Sequence, residues 1–455
     1  MYHAGGGRQV REQEEGFMPR AIVSRGALRM PKLSRRSFAR LAVAAGAGFH
    51  VSHAPAARSA NISDLLDIAV VGVGGQGAAN LKAVAGHNIV ALCDVDERRA
   101  GQAFAAHGRA RRFGDFRAMF DEMEKNIDAV VISTPDHAHF HPAWWALERG
   151  KHVYLEKPLA HEVEEVRRLT RAAAEKKLAT QLGVQRHANR GLREAVAIVK
   201  SGVLGPVAEV HAWIDSGRGM PKPLGDPETA PAGLDWDLWL GPCPARPYVK
   251  GLAPYDWRFW WEFGTGETGN WGCHILDIAF WALDLGHPVH VSGRGPAPDV
   301  ARTPQALRTR LDFPARGDLP PVALHWYQGK PEVLVERKID GKGINTLFVG
   351  AAGMLACGFD GWRLLPEKEF AGFKGPDPAL PPSPGFHQEW LDACRGGPAA
   401  SCHFGYSGPL TESVLLANVA YRIQGDFAWD ATALTTGRAD ADALLRRDYR
   451  AGWRV

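Results

Sequence analysis

The hexapeptide Gly72-Val73-Gly74-Gly75-Gln76-Gly77 constrains this chain more than any other stretch, because of its neighbours. Residues 68–71 before it form a short β-rich run, and residues 76–85 after it carry helical periodicity. In a strand, turn and helix of this kind the glycines have separate tasks. Gly72 permits the tight turn, Gly74 lets backbone amides come close to a ligand, and Gly77 allows the helix to pack against the strand. Gly75 and Gln76 then open the helix, where free N–H groups and the positive end of the helix dipole attract an anion. A pyrophosphate fits that position.

The alternation continues. Strands are expected at 89–94, 129–133, 152–155 and 179–182, with helices at 97–107, 142–149 and 163–176, the pattern of a parallel sheet covered by helices. Asp94 ends the second strand, 22 residues after Gly72, where a carboxylate accepts hydrogen bonds from ribose hydroxyls and repels a 2′-phosphate. The expected dinucleotide is therefore NAD, with NADP kept open by the neighbouring Arg98 and Arg99. Beyond residue 186 the pattern changes to a helix at 190–201 and strands at 207–214, 308–313 and 322–327. The fold class predicted is an α/β Rossmann nucleotide-binding domain over 62–186, followed by an α+β domain over 187–455 with a mainly antiparallel open sheet. The Pro-, Gly- and Trp-rich segment 217–247 predicts a long ordered loop, and helices from Phe386 to Arg422 are expected to pack back between the domains.

A chain of 455 residues exceeds what one core supports, which fits two domains and a leader. No apolar run reaches the roughly 18 residues that cross a bilayer, so no membrane span is expected. The formal charge of +4 resides in residues 1–56, where nine Lys/Arg face three Asp/Glu, and the remainder is about −2. That balance argues against a nucleic-acid partner. Residues 1–58 read as a leader: Ser34-Arg35-Arg36-Ser37-Phe38-Ala39-Arg40, a mildly apolar stretch and Ala54-Pro55-Ala56 resemble a twin-arginine export signal. The twin-arginine export machinery is thus an expected partner and the periplasm, or another exported compartment, the expected location. Because that route carries folded proteins, a nucleotide can be loaded before export. The six cysteines show neither a C-x-x-C pair nor zinc-ligand spacing, so no metal is predicted; a bridge between Cys394 and Cys402 stays open.

Thr134-Pro135-Asp136-His137-Ala138-His139 and Glu156-Lys157-Pro158 follow the glycine loop in that order. Together the three segments resemble the glucose-fructose oxidoreductase, inositol dehydrogenase and rhizopine catabolism (Gfo/Idh/MocA) family. The resemblance implies an NAD(P)-dependent oxidoreductase in which Lys157 lies beside the nicotinamide and the substrate hydroxyl, binding substrate and relaying a proton. It further implies that Pro135, His139, Glu156 and Gln185 line the cofactor, and that copies of the chain associate through the open sheet as a homo-oligomer. His137, His139 and His141 offer a metal alternative, but Pro142 interrupts any regular ligand spacing.

Residues 271–281 have helical spacing and put His274 and Asp277, three apart, on one face. A histidine poised near neutrality suits the removal of a hydroxyl proton, so Lys157, His274 and Asp277 are the expected catalytic set. Family members commonly carry an Asp and then a His four residues later; here Trp281 stands four after Asp277 and the histidine precedes it, which resembles an exported subgroup with Gly-Cys-His before the Asp. Trp236, Trp239, Trp257, Trp260 and Trp261 suit either a sugar-stacking surface or plain packing. The function expected is an exported oxidoreductase moving hydride between a tightly bound nicotinamide and a sugar, polyol or glycoside, since free NAD is scarce outside the cytoplasm. Two other readings remain: a redox-neutral glycoside hydrolase working through a transient 3-keto sugar, and a nucleotide- and sugar-binding protein without turnover.

Overall fold

The computed structural model describes residues 65–376 and 380–455, so the twin-arginine segment and the rest of the leader lie outside the described residues. The chain enters through β1 (Asp67–Val71), whose Ile68, Ala69 and Val70 are fully buried. A strand covered on both faces needs such an apolar run and belongs at the centre of a parallel sheet. Next come α1 (Gln76–Val84), β2 (Asn88–Cys93), α2 (Glu97–Ala106), the three-residue β3 (Arg111–Phe113) and α3 (Phe116–Met123). They are followed by β4 (Ala129–Ile132), α4 (Phe140–Glu148), β5 (His152–Leu155), α5 (Val163–Glu175) and β6 (Thr180–Leu182). The six strands are parallel in the order β3-β2-β1-β4-β5-β6. The order reverses between β1 and β4, and the crevice outside the strand ends there is where such sheets bind ligands.

Local chemistry explains the helix starts. Asp96 and Asp115 cap α2 and α3 by accepting from the backbone N–H of Arg98 and Arg117. Glu162 and Glu165 close a capping box on α5. Helix α4 begins at Phe140 rather than at residue 142, because a proline in the first turn forfeits no intrahelical bond.

The second domain opens with α6 (Arg190–Lys200) and β7 (Val207–Ile214). The chain from 215 to 265, which includes the long loop expected over 217–247, carries little regular structure beyond α7 (Trp236–Leu240) and a short 3₁₀ turn at Asp256–Phe259. It is ordered by its own small core of Leu240, Leu252 and Phe263 with the aromatic rings of Trp239, Trp257 and Trp260, so these tryptophans serve packing first. Then follow α8 (Gly266–Leu283), β8 (His290–Arg294), β9 (Leu307–Phe313), β10 (Val322–Gln328), α9 (Val333–Glu336), β11 (Thr346–Gly350), β12 (Met354–Cys357) and β13 (Trp362–Leu365). The chain closes with α10 (Phe386–Cys394), α11 (Phe404–Arg422), β14 (Asp426–Ala428) and α12 (Ala439–Asp442).

Eight strands form one sheet, β13-β12-β11-β7-β10-β9-β8-β14, antiparallel except where β7 meets β10. On β9, Leu307, Leu311 and Phe313 are buried while Arg308 and Arg310 face out, the alternation of a sheet packed on one side and open on the other. Helix α11 packs against α5 of the first domain and against α8 and β8 of the second, which joins the two cores. Among the described residues no helix is long and apolar enough to cross a membrane.

Candidate active site

A cavity of about 610 Å³ runs between the carboxyl ends of the parallel strands and the second domain. The glycine loop forms its floor. Gly72 has φ +79° and lies so close to β4 that a Cβ there would stand 2.7 Å from the Ser133 carbonyl oxygen. A Cβ on Gly77 would stand 1.9 Å from the Gly72 carbonyl oxygen, so only glycine lets α1 start this near the strand. Gly75 caps α1 without any side-chain hydrogen bond; the N–H groups of Gly77 and Ala78 turn back to the carbonyls of Gly74 and Gly75, and the start of the helix borders the cavity. Gly74, Gly75, Gln76, Asp94, Pro135, Glu156, Lys157 and Gln185 all line it.

Asp94 accepts the backbone N–H groups of Val73 and Asp96, each at 2.9 Å, so its two oxygens are fixed in direction at the end of β2. Burial raises its pKa, against the pull of those two hydrogen bonds. Arg98 is tied to Asp96 at 2.6 Å, whereas Arg99 lies over the glycine loop, its Nε 3.1 Å from where a Gly74 Cβ would be. Glu156 accepts from Asn80 at 3.0 Å and from Gln185 at 2.6 Å, and it fills the space beside Gly183 that a Cβ would need. His139 does not line the cavity: its Nδ1 meets the Pro158 carbonyl at 2.7 Å and its Nε2 the Thr134 carbonyl at 2.8 Å. It holds the loop after β4 against the loop after β5.

The chemical end of the cavity is built by Lys157 and α8. The Lys157 ammonium donates to Asn270 Oδ1 at 3.0 Å, and one helical turn further on His274 faces the same space. One turn back on the same helix, buried Glu267 pairs with Arg218 at 2.7 Å, so a second polar pair stands beside Lys157 and Asn270. Burial raises the Glu267 pKa, opposed by Arg218, Asn270 and Lys157. His274 is pushed down to about 3 by burial and then by the positive charges of Lys157 and Arg186, and its Nδ1 meets no hydrogen-bond partner among the described residues. Its imidazole is therefore neutral at ordinary pH. Arg258 also borders the cavity; its guanidinium bonds the Tyr255 carbonyl at 3.1 Å and has no carboxylate within ion-pair distance among the described residues.

Asp277 departs from the expected set. It does not border the cavity and is fully buried, accepting from His187 Nδ1 at 2.9 Å and from the Tyr406 hydroxyl at 2.7 Å. Three residues leave Asp277 about 60° round the helix axis from His274, and here that offset turns Asp277 into the core while His274 borders the cavity. The spacing of four that the family resemblance implies is present on α8, with Asn270 in the first position. That residue was legible as the position four before His274; an amide does not announce itself as proton chemistry.

Cys402 lies beside His187 and Asp277, and the three ligand atoms fall within 4.8 Å of one another. The trio is one donor short of a closed tetrahedral site, and two of its members already share a hydrogen bond. Cys394 and Cys402 are free thiols, because Cys402 is buried in that cluster while Cys394 ends α10. His137 and His141 bond the carbonyls of Trp239 and Trp453 at 2.8 Å each and, buried, are lowered to about 3 and about 4. With His139 also bonded to carbonyls, the three histidines hold loops together.

A nucleotide-binding parallel sheet joined to an open-sheet α/β domain, with lysine and histidine at the seam, defines the class. Residues 66–184 match the oxidoreductase family of NAD-binding Rossmann fold, and residues 195–303 match the C-terminal alpha/beta domain of that family, about half the chain together. The chain belongs to the Gfo/Idh/MocA oxidoreductase family. It is 30% identical to inositol 2-dehydrogenase of Salmonella typhimurium over 152 residues, which is 32% of this chain and 45% of that protein. It is 36% identical to a glycosyl hydrolase family 109 protein of Solibacter usitatus over 155 residues, 30% of this chain and 35% of that one. The chain thus spans half or less of the length of the curated relatives it matches. The WlbA dehydrogenase of Bordetella pertussis, solved with NADH and UDP-GlcNAcA, shares the fold with a TM-score of 0.55 at 19% identity, over 80% of this chain and 99% of that one.

Proposed function

We propose that this protein is an NAD-dependent oxidoreductase acting at a carbinol carbon of a sugar, polyol or glycoside. One observation carries the reading: the Lys157 ammonium and the His274 imidazole open into the same cavity as the glycine loop. The residues fit a dinucleotide. Gly74, Gly75 and Gln76 offer backbone N–H groups to a pyrophosphate, Arg99 and Arg258 offer positive charge, and Asp94 is aimed at the adenosine ribose, where it favours NAD. When bound, the nicotinamide supplies the hydride acceptor or donor.

The chain's own groups handle the proton. Asn270 fixes one ammonium N–H of Lys157, which leaves the others to donate to a substrate oxygen. Burial chiefly keeps His274 neutral; the positive charges that add to this also lower the pKa of a hydroxyl placed between them, so the imidazole meets an alcohol already disposed to ionise. The indole of Trp257 and the phenol of Tyr255 border this end and suit the apolar face of a sugar ring. The relative named as a glycosyl hydrolase supports a second reading, in which the same lysine and histidine serve elimination at a glycoside with no net redox change. Residues 34–40 support export of the folded, loaded protein by the twin-arginine route, and the exposed Arg308 and Arg310 face of the sheet is the surface on which copies would pair.

The test is the ultraviolet absorbance of the purified protein before and after addition of sugars, polyols and aryl glycosides. A reduced-nicotinamide band without aglycone release supports the oxidoreductase; aglycone release without a lasting band supports the hydrolase. Failure to extract or bind any dinucleotide contradicts both.

A further inference from the structure

The adenosine end of the cavity, beyond Asp94, is closed by residues outside the glycine loop and the parallel sheet. On the first-domain side its wall is Phe116, at the start of α3, and Pro142, in the first turn of α4. Facing them are Leu238 of α7 and Trp453, the third residue from the C-terminus. Trp453 is only 7% exposed. Its backbone N–H donates to the Arg450 carbonyl at 3.2 Å, its own carbonyl meets His141 Nε2 at 2.8 Å, and the Arg117 guanidinium lies 4.5 Å above its ring.

The segment leading to it is anchored to both domains. Arg447 pairs with buried Glu165 at 2.9 Å and donates to the His137 carbonyl at 2.7 Å, while the Tyr449 hydroxyl donates to Glu165 at 3.0 Å. Arg450 pairs with Asp237 at 2.5 Å and donates to the Gly241 carbonyl at 2.5 Å, so it grips α7 and its C-terminal turn. Breaking a buried, hydrogen-bonded ion pair is costly. These bonds hold the tail where an aromatic ring borders the space beyond the ribose-binding carboxylate.

We propose that residues 447–455 form a strap that completes the adenine subsite, with Trp453 as the ring that meets the base, and that this strap retains the dinucleotide through turnover. Adenine is flat and aromatic and pairs well with indole and phenyl rings. The inference rests on the reading of the cavity as an NAD site.

The experiment uses the full-length protein, Trp453→Ala, Trp453→Phe and a chain ending at Ala451, which keeps Arg447, Tyr449 and Arg450. Displacement of bound NADH is followed by its fluorescence, and AMP and nicotinamide mononucleotide are titrated as the two halves of the cofactor. Trp453→Ala and the shortened chain are expected to release NADH, and to bind AMP more weakly, by about tenfold or more, with nicotinamide mononucleotide unaffected and Trp453→Phe close to wild type. Retention of NADH and AMP by both variants as in the wild type overturns the strap. Equal weakening of AMP and nicotinamide mononucleotide also overturns it, since that is general loosening of the fold. If the wild type binds no NADH, the NAD reading itself fails and the strap falls with it.

Discussion

Two neighbouring positions of helix α8, one turned to the core and one to the cavity, carry polar side chains and treat them differently. Toward the core, Asp277 accepts from His187 and Tyr406, and His187 stacks on Trp281 at 3.9 Å between ring centres, so the carboxylate's partners are supplied from within the protein. Toward the cavity, His274 Nδ1 has no partner among the described residues and Lys157 is held by one amide oxygen. Buried polar groups in folded proteins are nearly always paired. Pairing alone does not separate the two, since His187 Nε2 also lacks a partner among the described residues; what sets His274 apart is that it borders, beside an ammonium, a space large enough for a ligand.

The comparison breaks most visibly at Lys157. Lys157→Met is expected to lower kcat/KM by about 10³-fold, within the range for loss of a group that moves a proton, while nucleotide still binds; steady-state kinetics with a fluorescence titration check both. On the core side, Asp277→Ala should destabilise by about 3 kcal/mol, because it leaves buried His187 and the Tyr406 hydroxyl without their acceptor. Denaturant unfolding measures that loss, and the folded fraction should keep its activity. Asn270→Leu sharpens the contrast: freeing the ammonium from its acceptor should cost about tenfold in kcat with little change in stability.

Acid sensitivity follows from the buried histidines that hold loops together. His137 and His141, held neutral by burial at about 3 and about 4, lie below the ordinary histidine value of 6.5, so the unfolded chain binds their protons first. Their contribution is intact above pH 6.5 and is lost as pH falls toward 4, by up to about 1.4 kcal/mol per pH unit for each histidine. Urea midpoints measured from pH 7 to 4.5 should fall accordingly; a flat profile would mean that these rings do not need to be neutral.

The first domain was far more legible in the sequence than the second. A strand that must be buried on both faces and a turn that only glycine can make leave plain marks, and β1, α1 and the cavity floor follow from them. Arg111–Phe113 escaped notice because a three-residue edge strand of two arginines and a phenylalanine carries no alternation. Strands β11 to β13 were missed because their register is set by pairing with distant β7 rather than by local pattern. The site divides in the same way. Lys157 and the glycines declare themselves by motif, whereas Asn270, Arg218 and Trp453 reach the cavity from segments that meet only in three dimensions.

The most direct test of the contrast across α8 is single-turnover formation of the reduced-nicotinamide band in His274→Asn and Asp277→Asn, each loaded with NAD and mixed with an oxidisable sugar. A rate reduced by about 100-fold in His274→Asn, with Asp277→Asn close to wild type, is the predicted result. A normal rate in His274→Asn together with a collapsed rate in stably folded Asp277→Asn would contradict the account and move the proton chemistry from His274 to Asp277.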